Sequence, residues 1–390
     1  MFIIYGLTFD HTTNYGSCFQ AYALQQAIEK IAVDGEKCSY FLIPLKTIHR
    51  KTSIDISVDN FIKHIKGNFR NFLSQLQRHK FVPFEKQYMK YANCYSMKDL
   101  PLLNEKADAF VCGSDVIWNP NFNNNNGVFF LDFARKYKFS YAASFGKTEV
   151  SKEYMIFAGE KLASFDSISV REKSSLNIIE KSTDKTVEIV SDPVLLLDTE
   201  EWKGIMDVLP KYNKYIFVYT THLNDTFKAF LQVLEKLTGL QVITSAWSMS
   251  IKASAWSMSI KEILKQRSIS GQTPQEWLSL LYHAEYVVTN SFHASVFSVL
   301  FHKKFFTVVA GDKAQGINAR MNDFLQTVGL EDRIYSSVPE TIDMSEIDFT
   351  YTDAVIARMR SESLAYLQRN IEDAYRRKTA NSYQDNKRNI

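Results

Sequence analysis

Cysteine is scarce in this 390-residue chain: there are four, and none forms a C-x-x-C pair or lies near His at zinc-ligand spacing. That argues against a zinc ribbon and a dithiol redox site. It leaves Cys18, Cys38, Cys94 and Cys112 as reduced, partly buried thiols, which suits a reducing cytoplasm. No G-x-G-x-x-G fingerprint occurs, so a bound dinucleotide is not indicated. No apolar run approaches the roughly eighteen residues of a membrane span. The opening MFIIYGLTFD has no basic leader and reads as a first strand rather than a signal peptide. Net charge is also small, +3 from 46 basic and 43 acidic residues, and gives no nucleic-acid footprint. The local basic excess at Arg376, Arg377, Lys378, Lys387 and Arg388 reads as a solvated terminal segment.

What is present is globular. Hydrophobic residues make up 45% and charged residues 23%, and the length suits two domains. The 28 Phe and 20 Tyr supply core, with a remainder able to line a cleft. Phe2 to Leu7 is a buried-strand run, CFQAYALQQAIEKIA has helical periodicity, and Lys37 to Ile43 is a second strand, which together make a βαβ unit. Residues 54–81 carry an apolar stripe at helical spacing. Strands are expected at Asp108–Cys112, Lys138–Phe145, Ser167–Val170 and Val187–Val190, and helices at 151–164 and 173–181. Ser191-Asp192-Pro193 then breaks the pattern and sets the domain boundary. The second half repeats the style, with strands at Tyr215–Thr220, Gln241–Thr244, Tyr286–Thr289 and Phe305–Val309. Thr273-Pro274 opens a helix, others fall at 225–238 and 294–302, and a long one over about 353–377 closes the chain. The division is 1–192, 193–378 and a polar tail 379–390. SAWSMSIK occurs at 245–252 and again at 254–261, a tandem copy too short for a solenoid and read as a duplication tolerated at the surface.

In open α/β sheets, ligands bind beyond the carboxyl ends of the strands, and three motifs sit there. Asn14-Tyr15-Gly16 follows the first strand; a glycine there lets a ligand approach closely, although a plain loop and helix start fit equally well. Gly113-Ser114-Asp115, followed by Trp118 and Asn119, presents a hydroxyl, a carboxylate, an indole and an amide, a set suited to a sugar; an Asp cap beside a core Trp is the alternative. Thr289-Asn290-Ser291-Phe292-His293 ends a strand and starts a helix, where free N–H groups collect anions and His293 can donate a proton. Arg171, at the end of the strand ISV, has a fork able to hold a carboxylate or phosphate, or to form a surface ion pair with Glu172.

At these residues the chain resembles the polysaccharide pyruvyl transferase family. The matching stretches, in family order, are NYGSCFQAYALQ, DAFVCGSDVIWNP, FFLDF, SYAASFG, ISVRE, SDPVLLL, TPQEWL, VVTNSFHASVFSVLF and INARMNDFL. The resemblance implies an α/β fold of two Rossmann-like domains facing a cleft, similar to the GT-B glycosyltransferases. It also implies phosphoenolpyruvate as donor, a sugar of a capsule or exopolysaccharide as acceptor, with or without a lipid link, and no metal or cofactor. The enzyme would work in the cytoplasm, with contact at the inner membrane face left open. Carried over by motif, Ser291, Phe292, His293, Arg171 and Asn318 would meet the donor, with Lys313 or Arg320 as a further cation. Asn14, Tyr15, Ser114, Asp115, Trp118 and Asn119 would meet the acceptor. His293 would serve as acid, Arg171 as electrophilic clamp and Asp115 as base. Two positions depart from the family pattern: Ala294 follows the His where Gly is usual, and Val116 replaces a commoner Gln. The rival expectations are a nucleotide-sugar glycosyltransferase of the same architecture and a non-catalytic sugar-binding relative.

Overall fold

Both halves are built on parallel sheets whose central strands are almost wholly apolar, as strands covered on both faces must be. In the computed structural model, the described residues are 1–10, 13–44, 77–94, 96–123, 126–207, 213–221, 223–246, 272–309 and 315–388. The first sheet contains β1 (Phe2–Leu7), β2 (Ala32–Val33), β3 (Glu36–Leu42), β4 (Ala109–Cys112) and β5 (Tyr137–Ser140), in the order β2-β3-β1-β4-β5. All its pairings are parallel except the short β2–β3 hairpin. β6 (Ile168–Val170) and β7 (Val187–Ile189) pair in parallel, and bridges from Phe139 to Ser167 and Ala143 to Val170 lay them along the β5 edge. The second sheet holds β8 (Tyr215–Thr220), β9 (Gln241–Ala246), β10 (Tyr286–Thr289), β11 (Lys304–Val308) and β12 (Ile334–Tyr335), all parallel, in the order β12-β11-β10-β8-β9.

Side chains alternate across each sheet and sort into three cores. Ile216 and Val218 of β8 face an outer core of the second sheet; Tyr5 and Leu7 of β1 face an outer core of the first. Phe2 and Ile4 of β1 and Tyr215, Phe217 and Tyr219 of β8 enter one central core common to both halves. At its middle lies helix α1 (Tyr15–Glu29), which carries no charge before Glu29 and buries almost its whole surface, its buried Ser17, Gln20 and Gln25 each finding a hydrogen-bond partner. Tyr15 stacks on Trp277 at 5.2 Å between centroids, and Phe19 meets Trp202 and Phe297 edge-on.

The expected strand at Lys138–Phe145 stops at Ser140, because the chain turns through Ala142 at φ 50°. Helices α2 (Lys152–Leu162), α3 (Lys173–Ile179), α4 (Asp225–Thr238), α5 (Pro274–His283), α6 (Phe292–Leu300) and α7 (Gln315–Thr327) fall within two residues of expectation where one was made. The last helix, α8 (Thr350–Arg388), follows the second half in sequence but runs back over the first. Ser363 joins Ser191, Tyr366 donates to the Ser140 carbonyl at 2.9 Å, and Asn370 accepts from Tyr137. Arg377 pairs with Asp166 at 2.6 Å and Lys378 with Asp108 at 3.2 Å. These two cations are therefore docked on the first half, whereas Arg376 pairs with Asp373 along its own helix and the side chains of Lys387 and Arg388 lie outside the described residues. Of the 54–81 stripe only residues 77–81 are described, and they are helical. The tandem repeat beyond Ala246 lies outside the described residues.

Candidate active site

The carboxyl ends of β1, β4, β6, β7 and β10 converge between the two sheets, and each delivers a polar residue. Asn14 caps α1, its Oδ1 accepting from Gly16 N at 2.9 Å. After β4 the chain folds tightly: Gly113 has φ 114°, and a side chain there would strike the Tyr141 carbonyl. Asp115 follows at φ 61°, a left-handed conformation that Asp tolerates better than most residues. Its carboxylate accepts from Ser17 Oγ at 2.7 Å and faces Arg320 Nη1 at 3.5 Å and Arg171 Nη2 at 3.8 Å.

Arg171 ends β6 and is buried among carboxylates. Nη1 donates to Asp192 at 2.8 Å and Nε to Glu172 at 3.2 Å. Asp192 follows β7, and its other oxygen accepts from Val194 N at 3.0 Å. Glu172 also accepts from Ser144 at 2.6 Å and from Ser175. Burial alone would push the Asp192 and Asp115 carboxyls up. Their neighbours, His293 first and then Arg171, outweigh burial and hold both below the ordinary carboxylate range. The same carboxylates hold the Arg171 guanidinium protonated despite its burial.

His293 stands in the first turn of α6. Its Nε2 is 3.4 Å from Asp192 Oδ2, within ion-pair distance but without a hydrogen bond. Its imidazole lies against Gly16, where any side chain would collide with Nδ1. The ring of Phe292 meets two guanidiniums, 4.5 Å from Arg171 and 5.5 Å from Arg320. Among the described residues, Arg171 Nη2, His293 Nε2 and Arg320 Nε are buried with no hydrogen-bond partner. Buried donors are nearly always paired, so three orphans in one cluster mark a place made for an acceptor-rich ligand. A cavity of about 40 Å³ opens there, lined by Asn14, Asp115, Ser291, Phe292, His293 and Arg320 among others.

The structure thus brings together His293, Arg171, Asp115, Arg320, Ser291, Phe292 and Asn14. It leaves others off this cavity. Trp118 is fully buried, stacked on Phe130 with Nε1 donating to the Phe129 carbonyl, so it is a core residue with no face open to a sugar. Tyr15 is likewise core: its hydroxyl donates to the Gln272 carbonyl at 2.9 Å and accepts from Gln272 N, and burial lifts it to about 12. Ser114 spends its hydroxyl on the Ala142 carbonyl, and Asn119 accepts from the Asn121 amide to start the next turn. Asn318 is buried on α7 and lines neither this cavity nor its larger neighbour. Lys313 lies outside the described residues. Sequence reasoning passed over Ser17 and Asp192, and it read Gly16 as room for a ligand where the structure sets the His293 ring. Asp192 had a signal, the S-D-P break, but it reads as a cap, and it is one as well. Glu172 is the partner of Arg171 as one reading held, but deep in the protein rather than at its surface.

A family match decides the class. The polysaccharide pyruvyl transferase family matches residues 14–312. The chain belongs to the polysaccharide pyruvyl transferase family. That span holds every residue of the cluster except Arg320, and it makes the protein a transferase of polysaccharide pyruvylation in the broad sense. No curated protein sequence matches this pyruvyl transferase. Among solved structures, MnaA of S. aureus with UDP matches at 11% identity and TM-score 0.49, covering 96% of this chain and 92% of that one. The UDP-GlcNAc 2-epimerase of Methanocaldococcus jannaschii matches at 10% identity and TM-score 0.45, covering 98% and 100%. Among the described residues, no cluster of His, Cys, Asp and Glu could hold a metal ion. No helix there is long and apolar enough to cross a membrane.

Proposed function

We propose that this transferase moves pyruvate from phosphoenolpyruvate to two hydroxyls of one sugar in a surface polysaccharide or its precursor, forming a cyclic ketal and releasing phosphate. The observation that carries the reading is the set of three buried nitrogens without a hydrogen-bond partner among the described residues: those of His293 and Arg320, which line the small cavity, and of Arg171, which lines its larger neighbour, in a chain of this family. An anion with a carboxylate and a phosphate satisfies such donors, whereas a neutral ligand leaves most of them bare.

The chemistry balances as follows. A proton from His293 adds to the methylene carbon of the enol, and positive charge develops at the central carbon. A sugar hydroxyl attacks that carbon and gives up its proton to Asp115. Phosphate leaves, the second hydroxyl closes the ring, and its proton departs with phosphate. Arg171 and Arg320 stabilise the charge throughout. Donor binding also arms the base. Both guanidiniums stand at 3.5 to 3.8 Å from Asp115, the loosest contacts in the cluster. A donor that draws them away takes from Asp115 two of the charges that hold its proton affinity down, so the carboxylate becomes basic when a substrate is present. Phosphoenolpyruvate as donor places the reaction in the cytoplasm, on an acceptor that is free or lipid-linked.

The test is thermal protection and turnover together. Phosphoenolpyruvate should raise the melting temperature, as any ligand of the folded state alone does, and should release phosphate only with a saccharide. Protection by UDP-sugars and none by phosphoenolpyruvate would point instead to glycosyl transfer.

A further inference from the structure

A second, larger cavity adjoins the first, and nothing so far gives it a role. It measures about 260 Å³ and lies between the end of β7, α7 and α8. Phe292 and Arg320 line both cavities, so they are the wall between them. Its inner end is buried, at Arg171, Asp192 and Phe292; its mouth is exposed, at Lys173, Arg358 and Glu362.

We propose that this cavity holds the acceptor, as a neutral, hydroxyl-rich sugar ring whose remaining chain leaves through the mouth beside α8. The inference rests on the pyruvyl-transfer reading for the identity of the neighbouring donor. Three features carry it. The volume is of the order that one pyranose needs, at the small end of ligand pockets. The lining mixes charged and hydroxyl groups with apolar surface from Leu195, Phe324 and Met359, the combination that grips ring hydroxyls and ring carbons together. The charges balance: Arg171, Lys173, Arg320 and Arg358 stand against Glu172, Asp192, Asp323 and Glu362. A balanced set offers hydrogen bonds in both directions without drawing in a uronic acid. Two of the donor cations, Arg171 and Arg320, line this cavity themselves, so a ring hydroxyl at its inner end lies beside the donor site.

Arg358→Ala, Glu362→Gln and Thr327→Trp test this, the last placing an indole at an exposed position on the cavity rim. Binding of methyl galactoside, methyl glucoside, methyl mannoside and methyl glucuronide is followed by ligand-observed NMR, and phosphoenolpyruvate binding by thermal shift. The expected result is that at least one neutral glycoside binds the wild type. Its affinity, and the acceptor KM in transfer, should weaken about tenfold in the first two variants, the loss of one charged hydrogen bond, and vanish in the third. Phosphoenolpyruvate protection should be unchanged in all three. Binding of a neutral glycoside that all three variants retain, preferential binding of the glucuronide, or no binding of any neutral glycoside to the wild type would each overturn the proposal. Failure of the donor reading shows separately, as a wild type that phosphoenolpyruvate does not protect.

Discussion

The imidazole of His293 lies on the bare Cα of Gly16, so close that a methyl group there would stand 2.1 Å from Nδ1. One residue opens the first helix of the first half; the other opens a helix of the second. His293 is therefore seated by a hydrogen atom on the opposite half.

Gly16→Ala should displace the ring. Alanine is the better helix former by about 1 kcal/mol, so helix propensity alone would raise the melting temperature. Overpacking works the other way, at about 1–3 kcal/mol. We expect a lower melting temperature and a turnover reduced by about tenfold or more. A variant that melts higher and turns over normally would show that the imidazole has room to spare.

Arg171→Lys keeps the charge and loses the fork that reaches Asp192 and Glu172 together. Phosphoenolpyruvate affinity should fall by about 1–3 kcal/mol, measured by titration calorimetry. Arg171→Ala leaves two buried carboxylates without their cation and should lower stability by about 3–5 kcal/mol in urea melts. Equal stability of the alanine variant and the wild type would contradict the buried cluster.

Acid should unfold the protein through the same carboxylates. Asp115 and Asp192 hold their protons less tightly folded than unfolded. The unfolded chain therefore takes up more protons below its own value of about 3.9, and stability drains as pH falls from there. Melting temperatures should be nearly level toward neutral pH and drop below about pH 4. Asp192→Asn should melt lower at neutral pH and show a shallower acid limb. An unchanged acid slope in that variant would remove Asp192 as the source.

Trp118→Ala should behave as a core truncation. With the ring closed in by Phe130, Phe145 and Phe165, we expect about 3–5 kcal/mol of lost stability and an acceptor KM within twofold of the wild type. A stable variant with a raised acceptor KM would return the indole to the site.

How far the sequence could be read depended on whether one strand or two halves were being asked about. β1, β8 and β10 begin and end where their apolar runs do, since a strand covered on both faces needs nothing but apolar residues and a polar stop. Arg171, Asp115 and His293 were legible because strand ends in an open sheet point at the cleft. Trp118 was not. Only two residues lie between it and Asp115, yet the positive φ of Asp115 turns the carboxylate into the cleft and the following chain back toward the core. Asp192 hid for another reason: one oxygen caps its own turn, as S-D-P suggests, and the other serves Arg171, twenty-one residues away in sequence. Pairings such as Arg377 with Asp166, set by the return of α8, have no local signature at all.

Helix α1 has almost no outer face, only Gln26 and Glu29 being partly open. The first sheet covers one side, and Trp202, Trp277 and Phe297 cover the other, so it belongs to the hydrophobic interior of both halves at once. Halves joined only by a linker can be exchanged between relatives like cassettes. Here such a chimera would set a foreign helix against Trp277 and Phe297, and a half expressed alone would expose the surface α1 now fills. Recombination within this family should therefore succeed only when α1 travels with the tryptophans that enclose it.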